Sequence, residues 1–354
     1  MTEEELFPNN NFDLMEVNEV GKNAWGGTER YTRFIYDGVI PRNLFENVQI
    51  IPSRVRDLKD DKIRLYFEHN LPSDPESSHL KDENLRNRFH KIVFLSNWHY
   101  QQFQNQLGLP YESKNSVIEG GFYIDETAPF VEKPDPKEMV NIAYYTTPHR
   151  GLEILVPVFL HMAKEDPKIH LHVHSSFKMY GWDERDKQFE QLFKTCEEHP
   201  QITYHGFTEY WELRKQLEKY HIFGYPNVWP ETMCRSVLEG MYFGLVCIHP
   251  NFAALPDTTG CLNPFMYNGT AVVNEHANIF FAHLVNAVSV VRDNPDGLKN
   301  QLMFNRAYIC NRYSSRIVHY KWQKLLEELN QRFPTVESRS LPKEPGEQFV
   351  YRIP

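Results

Sequence analysis

Residues 221–248 read HIFGYPNVWPETMCRSVLEGMYFGLVCI. The stretch opens on a short apolar run, HIFGYP, passes through the polar, proline-containing NVWPET, becomes helical over MCRSVLEGMYFG, and ends on a second apolar run that continues as LVCIHP. Strand, loop, helix and strand in that order are the repeating unit of a parallel sheet, whose strands need a crossover between them. Two acids stand in it, Glu231 and Glu239, with seven residues between them. Glu231 falls in the loop before the helix, and Glu239 about two turns further on. In open parallel sheets, ligands sit beyond the carboxyl ends of the strands, where loops lead into helix N-termini with free N–H groups. Glu231 is then placed to reach a polar ligand, with Thr232, Met233 and Cys234 supplying backbone N–H groups. The spacing alone fits equally a first-turn acid facing the helix dipole and a solvated face residue. The surroundings decide for a ligand-facing pair: Val237, Leu238, Met241 and Tyr242 predict a mostly buried helix, and a Glu239 within it needs a partner or a ligand.

The same alternation runs outward in both directions. FDLMEV, NVQIIPS, KIRLYFEH and KIVFLS read as strands in the first third, with helical patterns at GGTERYTRFIYDGVI and NWHYQQFQNQLG between them. The proline-rich, charged APFVEKPDPKEMV (128–140) reads as a linker, after which the series resumes with NIAYYTTPHRGLEILVPVFLHMAKEDP, KIHLHVHSS, DKQFEQLFKTCEEH, QITYHGF and YWELRKQLEKY. The sequence predicts an α/β chain with two Rossmann-like domains: 1–134, 135–312, a long amphipathic helix over 313–333, and a proline-rich tail over 334–354 that is mobile or lies on the surface. Neither domain carries GxGxxG behind a strand, so a nicotinamide or flavin site lacks its phosphate turn.

Composition narrows the partners. Of 354 residues, 47 are Asp or Glu and 38 Lys or Arg, a formal charge of −9 that disfavours nucleic acid as the main partner. An acidic total still permits a basic or aromatic face for peripheral membrane contact. No stretch approaches the roughly 20 apolar residues of a membrane span, and the start, MTEEELFPNNNF, is acidic where a signal peptide is basic. Five scattered cysteines (Cys196, Cys234, Cys247, Cys261, Cys310) without a CxxC pair suit reduced thiols. The expectation is a cytoplasmic protein without disulfides or zinc. His170, His172 and His174 alternate onto one strand face, too far apart to converge on one metal, though His174 stands nearest the strand's carboxyl end.

Several segments together resemble retaining glycosyltransferases of the GT-B fold, family 4. AWGGTERY (24–31) is similar to that family's first glycine-rich loop, FHKIVFLSNWHYQQF (89–103) to its middle strand and helix, and SVIEGGFYIDETAPF (116–130) to the end of its first domain. YYTTPHRGLEIL (144–155) resembles the opening of its second domain, ITYHGF (202–207) its nucleotide-contacting loop, and residues 221–248 its donor-site segment. The segments stand in the family's order over residues 20–325.

The resemblance implies two domains facing each other across a cleft and transfer of a sugar from a UDP- or GDP-sugar to a glycan or other hydroxyl acceptor, without a cofactor or metal. It implies that Glu239 holds the ribose, that Glu231 bonds sugar hydroxyls, and that residues 232–234 meet the diphosphate or sugar. Gly26 and Gly27 then allow close approach to phosphate or acceptor, Gly206 and Phe207 flank the base, and Arg150 binds the diphosphate. Many members carry a second basic residue shortly before that arginine. Here only His149 precedes it, so the clamp is thinner or is completed by Lys178 or Arg235. His69, ending the strand in RLYFEHNLP, is the implied acceptor-side residue. Two rivals remain on the same scaffold, a nucleotide-sugar epimerase and a non-catalytic sugar-binding protein; the first needs acid and base groups that the sequence does not identify.

Overall fold

The structure, a computed structural model, describes residues 7–15 and 26–341. The chain forms two compact units, one of residues up to Tyr123 together with those from Arg312 on, the other Ile124–Asn311. The linker at 128–140 thus belongs with the second unit.

The first unit is built on four parallel strands, β1 (Val48–Pro52), β2 (Ile63–Phe67), β3 (Lys91–Phe94) and β4 (Asn115–Val117), side by side in chain order. The register sets Ile50 opposite Leu65 and Phe67 opposite Val93. Every residue of β1, β2 and β3 is buried, as expected for strands covered on both faces. Around them lie α1 (Gly27–Ile35), the single turn α2 (Glu83–Arg86) and α3 (Asn97–Leu107). Ser96 caps α3 through His99 N and Gly108 ends it in the left-handed conformation. Much of the core is aromatic: Phe94 stacks on Tyr100 (centroids 4.9 Å apart) and meets Phe103 at 5.1 Å.

The strand expected over FDLMEV is not formed in its described part. Phe12–Leu14 is a 3-10 turn, because the Asn10 side chain accepts Phe12 N and Asn11 O accepts Leu14 N, turn-forming bonds that an extended strand forgoes. Glu16 and Val17 lie outside the described residues.

In the second unit, β5 (Val140–Tyr144), β6 (Ile169–Val173), β7 (Ile202–Tyr204), β8 (Ile222–Gly224), β9 (Val246–Pro250) and β10 (Met266–Tyr267) form a parallel sheet in the order β10-β9-β8-β5-β6-β7. The chain builds outward from β5 in one direction, then returns to place β8 on its other side. That reversal is the doubly wound Rossmann order, with its switch point between β5 and β8. The helices are α4 (Leu152–Ala163), α5 (Glu190–Glu198), α6 (Tyr210–Leu217), α7 (Arg235–Tyr242), α8 (Leu255–Thr259), α9 (Val273–Asp293) and α10 (Pro295–Tyr313).

The last long helix, α11 (Ser315–Arg332), packs on the first unit. Trp322, almost fully buried, meets Phe67 edge-on at 4.9 Å, and His319 stacks on Phe34 and bonds Phe34 O at 2.7 Å. Beyond it the tail is held at first: the buried Arg339 donates to Phe333 O, Pro334 O and Asp61 O. No described helix is long and apolar enough to cross a membrane.

Candidate functional site

The switch point brings two loops together. The first, Tyr145–Gly151, leaves β5, turns at Pro148–Arg150 and enters α4 through Gly151. Gly151 has φ +125°, and a Cβ there would run into the carbonyl of Pro226, so backbone meets backbone at this point. The second loop, Tyr225–Cys234, leaves β8 and enters α7. Asn227 fixes it: the buried side chain accepts Trp229 N at 3.0 Å and donates to Trp229 O at 2.6 Å.

Across this meeting point Arg150 Nη1 donates to Glu231 Oε1, forming an ion pair whose side chains are 20% and 7% exposed. Tyr225 OH donates to the same oxygen at 2.5 Å. Glu231 Oε2 receives no hydrogen bond from the described residues, so the carboxylate is oriented by one oxygen and open at the other. Burial by itself lowers the Arg150 pKa, but Glu231, Tyr180 and Tyr225 outweigh it and hold the guanidinium well above its ordinary value. Arg150 is a permanent cation. Its neighbour is not: burial, then Arg150 and Arg185, lower His149 to about 4, so that ring is neutral near pH 7. It is wedged between Phe177 (stacked, 5.1 Å) and Trp229 (edge-on, 4.9 Å).

Four buried polar atoms on the loops after β5 and β6 have no partner among the described residues: Thr147 Oγ1, His149 Nδ1, Arg150 Nε and Ser175 Oγ. Each such atom costs about 1–3 kcal/mol if left dry, so each is a place for water or a polar ligand atom.

Glu239 lies on α7, buried, and receives Tyr210 OH at 2.8 Å and Arg235 Nε at 3.0 Å, both at Oε1. The partner that its apolar surroundings demanded is therefore in the protein: Arg235, one turn earlier on the same helix, and Tyr210 from α6. Glu239 Oε2 receives no hydrogen bond from the described residues. Arg235 also donates to Tyr210 OH at 2.6 Å, so its charge is committed here, and Lys178 sits over the Phe207 ring at 6.0 Å. Cys234, the N-cap of α7, makes no side-chain cap, while Thr232 and Met233 precede it in the same loop.

Gly206, with φ +62°, and Phe207 follow β7, and the Lys178–Phe207 contact ties that loop to the one after β6. His174 lies between them and is fully engaged: Nδ1 with Thr208 Oγ1 and Nε2 with Tyr220 OH, both at 2.7 Å, its ring stacked on His205 at 4.0 Å. It is a structural side chain. His172 Nδ1 meets His205 Nε2 at 3.2 Å as a hydrogen bond, and no described group of three or more His, Cys, Asp or Glu is arranged to hold a metal.

In the first unit Gly26 caps α1 in extended conformation, and a Cβ on Gly27 would meet no described atom within 4 Å. His69 follows β2; its N–H donates to Ser53 Oγ and Glu68 Oε1, each at 3.0 Å, and its ring lies edge-on to Phe67 at 4.2 Å. Burial and then His99 lower its pKa to about 3, whereas burial raises Glu68 to about 8. His69 is thus a neutral imidazole beside a carboxyl that titrates near physiological pH. Tyr225, Tyr210, Asn227 and Trp229 were not singled out in the sequence; Tyr225 and Trp229, aromatics flanking a loop acid, carried the only local signal.

The second unit defines the class: an open, doubly wound α/β sheet with its polar residues gathered at the switch point. No protein-family model and no curated protein sequence matches the chain. Its fold matches that of GT-B glycosyltransferases. A glycosyltransferase from Rickettsia africae superposes with a TM-score of 0.58 at 16% identity, covering 75% of this chain and 70% of that one. Anabaena HepE, solved with UDP and glucose, gives 0.58 at 15% over 82% and 80%. Sucrose-phosphate synthase from Thermosynechococcus elongatus gives 0.55 at 14% over 76% and 68%.

Proposed function

We propose that the protein is a retaining, metal-independent glycosyltransferase of family 4, moving a hexosyl group from a UDP- or GDP-sugar to a glycan or other hydroxyl acceptor. The observation that carries this reading is the Arg150–Glu231 pair at the switch point, a fixed cation and a half-open carboxylate from two different loops. The GT-B fold adds weight, as do neighbours solved with UDP-sugar or with UDP and a sugar, among them HepE and the pneumococcal transferase GtfA.

In this reading Arg150 takes the diphosphate and stabilises the charge that grows on it as the glycosidic bond breaks. Its unpartnered Nε is a ready donor. Glu231 accepts from sugar hydroxyls through Oε2, and Glu239 accepts from the ribose through its own Oε2. Gly206 and Phe207 flank the base, and the backbone of Thr232, Met233 and Cys234 meets the diphosphate or sugar. Gly26 and Gly27 allow close approach of the backbone to the phosphates or acceptor, and His69 serves the acceptor side. The acceptor oxygen attacks the face from which the nucleotide departs, and a donor phosphate oxygen takes its proton. Positioning and diphosphate stabilisation supply most of the rate. Lys178 or Arg235 completes the clamp only by leaving its present partner, so Arg150 carries most of that duty alone.

Incubation with a panel of UDP- and GDP-sugars, with and without saccharide acceptors, tests the assignment through nucleotide release and the anomeric configuration of the product. Release dependent on acceptor, insensitive to EDTA and with retained configuration is expected. Inverted product overturns the retaining mechanism, loss with EDTA overturns metal independence, and an isomerised donor without release points to an epimerase.

A further inference from the structure

Trp229 stands two residues before Glu231 and is 41% exposed. Large aromatic side chains are ordinarily drawn into the core, and one left open beside a charged pair calls for an explanation. It is not on a loose loop. Both its backbone N–H and its C=O are bonded to the buried Asn227 side chain, and its ring abuts His149. The Arg150 guanidinium lies 5.9 Å from its centroid. The indole is therefore held by its backbone and one ring neighbour. Its Nε1–H donates to no described group.

We propose that Trp229 is a specificity-determining platform on which a pyranose ring of the substrate lies, its hydroxyls meeting Glu231 Oε2 while its C–H face rests on the indole. The chemistry of the two surfaces matches. A sugar ring has an edge of hydroxyls and a face of polarised C–H bonds; the indole face carries the negative side of a quadrupole and attracts that C–H face. A carboxylate open at one oxygen, set beside an exposed aromatic ring, meets both at once. A purely apolar ligand would leave Glu231 Oε2 and Arg150 Nε without polar partners as it covered them. Val228 and Phe252, also largely exposed, extend the apolar rim; Phe252 follows β9, in a loop tied to this one by Ala254 N donating to Glu231 O at 3.1 Å.

The inference rests on the glycosyl-transfer reading for the source of the ring, donor or acceptor, and the test separates the two. Trp229→Ala and Trp229→Phe are made in the full chain, with thermal unfolding as the check on folding. Calorimetry gives the affinities for UDP or GDP and for the corresponding nucleotide sugar, and initial rates give KM for a saccharide acceptor. A donor ring on the platform is expected to cost Trp229→Ala about tenfold in nucleotide-sugar affinity while leaving the nucleotide alone within about twofold. An acceptor ring instead raises acceptor KM about tenfold with donor affinity unchanged. In either case Trp229→Phe recovers most of the loss.

Unchanged values in Trp229→Ala overturn the proposal, and so does an equal loss for nucleotide and nucleotide sugar, which would mean that the indole stacks on the base. If the unaltered protein binds no nucleotide or nucleotide sugar, the donor-site reading fails. A saccharide array then decides the platform alone: ligands bound by the unaltered chain and lost in Trp229→Ala support it, and none bound overturns it.

Discussion

Replacing Glu231 by glutamine separates the structural role of the switch-point pair from its chemistry. The amide keeps the shape of the side chain and an oxygen for Tyr225 OH, but it removes the charge facing Arg150. Breaking a buried ion pair at one partner costs about 3–5 kcal/mol. Arg150 is 20% exposed and the tyrosine bond survives, so the expected loss is nearer ~2 kcal/mol. For a unit of the size of residues 124–311, this lowers Tm by about 4–8 °C. Thermal unfolding of Glu231→Gln, Arg150→Met and the double variant measures it, the double falling short of the sum by roughly 2 kcal/mol. UDP affinity should move the other way, rising about threefold to tenfold as the carboxylate no longer opposes the diphosphate, while turnover drops at least ~100-fold. An unchanged Tm, strictly additive losses, or a Glu231→Gln protein that turns over normally would refute the assignment.

Three further outcomes are expected. Gly151→Ala forces a side chain into a left-handed position against the Pro226 carbonyl; a loss of about 3 kcal/mol or more in thermal unfolding is expected, with UDP binding impaired, and an unchanged Tm would show that the loops can part. Glu239→Ala should weaken UDP at least ~10-fold while Glu231→Ala acts mainly on turnover, and equal, negligible effects would misplace the donor site. Burial first, then His205 and His172, lower the buried His174 to about 3, so its neutral form is favoured on folding. The sign follows: the unfolded chain binds the extra proton below an ordinary value near 6.5, so this contribution is whole above that pH and is lost as pH falls toward about 3. By pH 4 the loss amounts to about 3 kcal/mol, so His174→Gln should flatten the fall in stability between pH 6.5 and 4 measured by urea unfolding.

Most strands of the two sheets were legible because parallel strands covered on two faces are largely apolar runs, as in IRLYF and VCIHP; the three-residue β4 was not read as a strand. Regions without such a run were not. β10 is two residues long, and α9 hides its buried Phe280, Leu284, Ala287, Val288 and Val291 among exposed apolar neighbours such as Val273 and Val285. At the site, Arg150 and Glu231 could each be picked out from their place after a strand. Their contact could not, since it joins residues 81 positions apart through the order of the sheet. The Arg235–Glu239 pair was within reach, four residues apart on one helix, but a cation near a presumed phosphate site invites the wrong partner. Trp229 left only a weak trace, because a single exposed aromatic has no period; its meaning comes from Asn227 and His149, which fold places beside it.

A site that neutralises its own cation raises the question of how it can still bind an anion. The hydrogen bonds give an answer. The guanidinium presents separate donors, and Glu231 occupies Nη1 while Nε is buried and unpartnered. On the proposed reading, a phosphate oxygen that reaches Nε would accept from it without breaking the pair, so Arg150 would bridge two anions instead of exchanging one for the other. Glu231 stays oriented throughout by Arg150 and Tyr225, with Oε2 free for a hydroxyl. The pair is then a preorganised arrangement whose electrostatic cost is met in folding, before the ligand arrives. On this account Arg150→Lys fails even though the charge is kept: a point ammonium has no planar fork with which to hold a carboxylate and a phosphate apart in fixed directions. A lysine variant with normal turnover would mean that only the charge matters here, and that the bridging geometry is incidental.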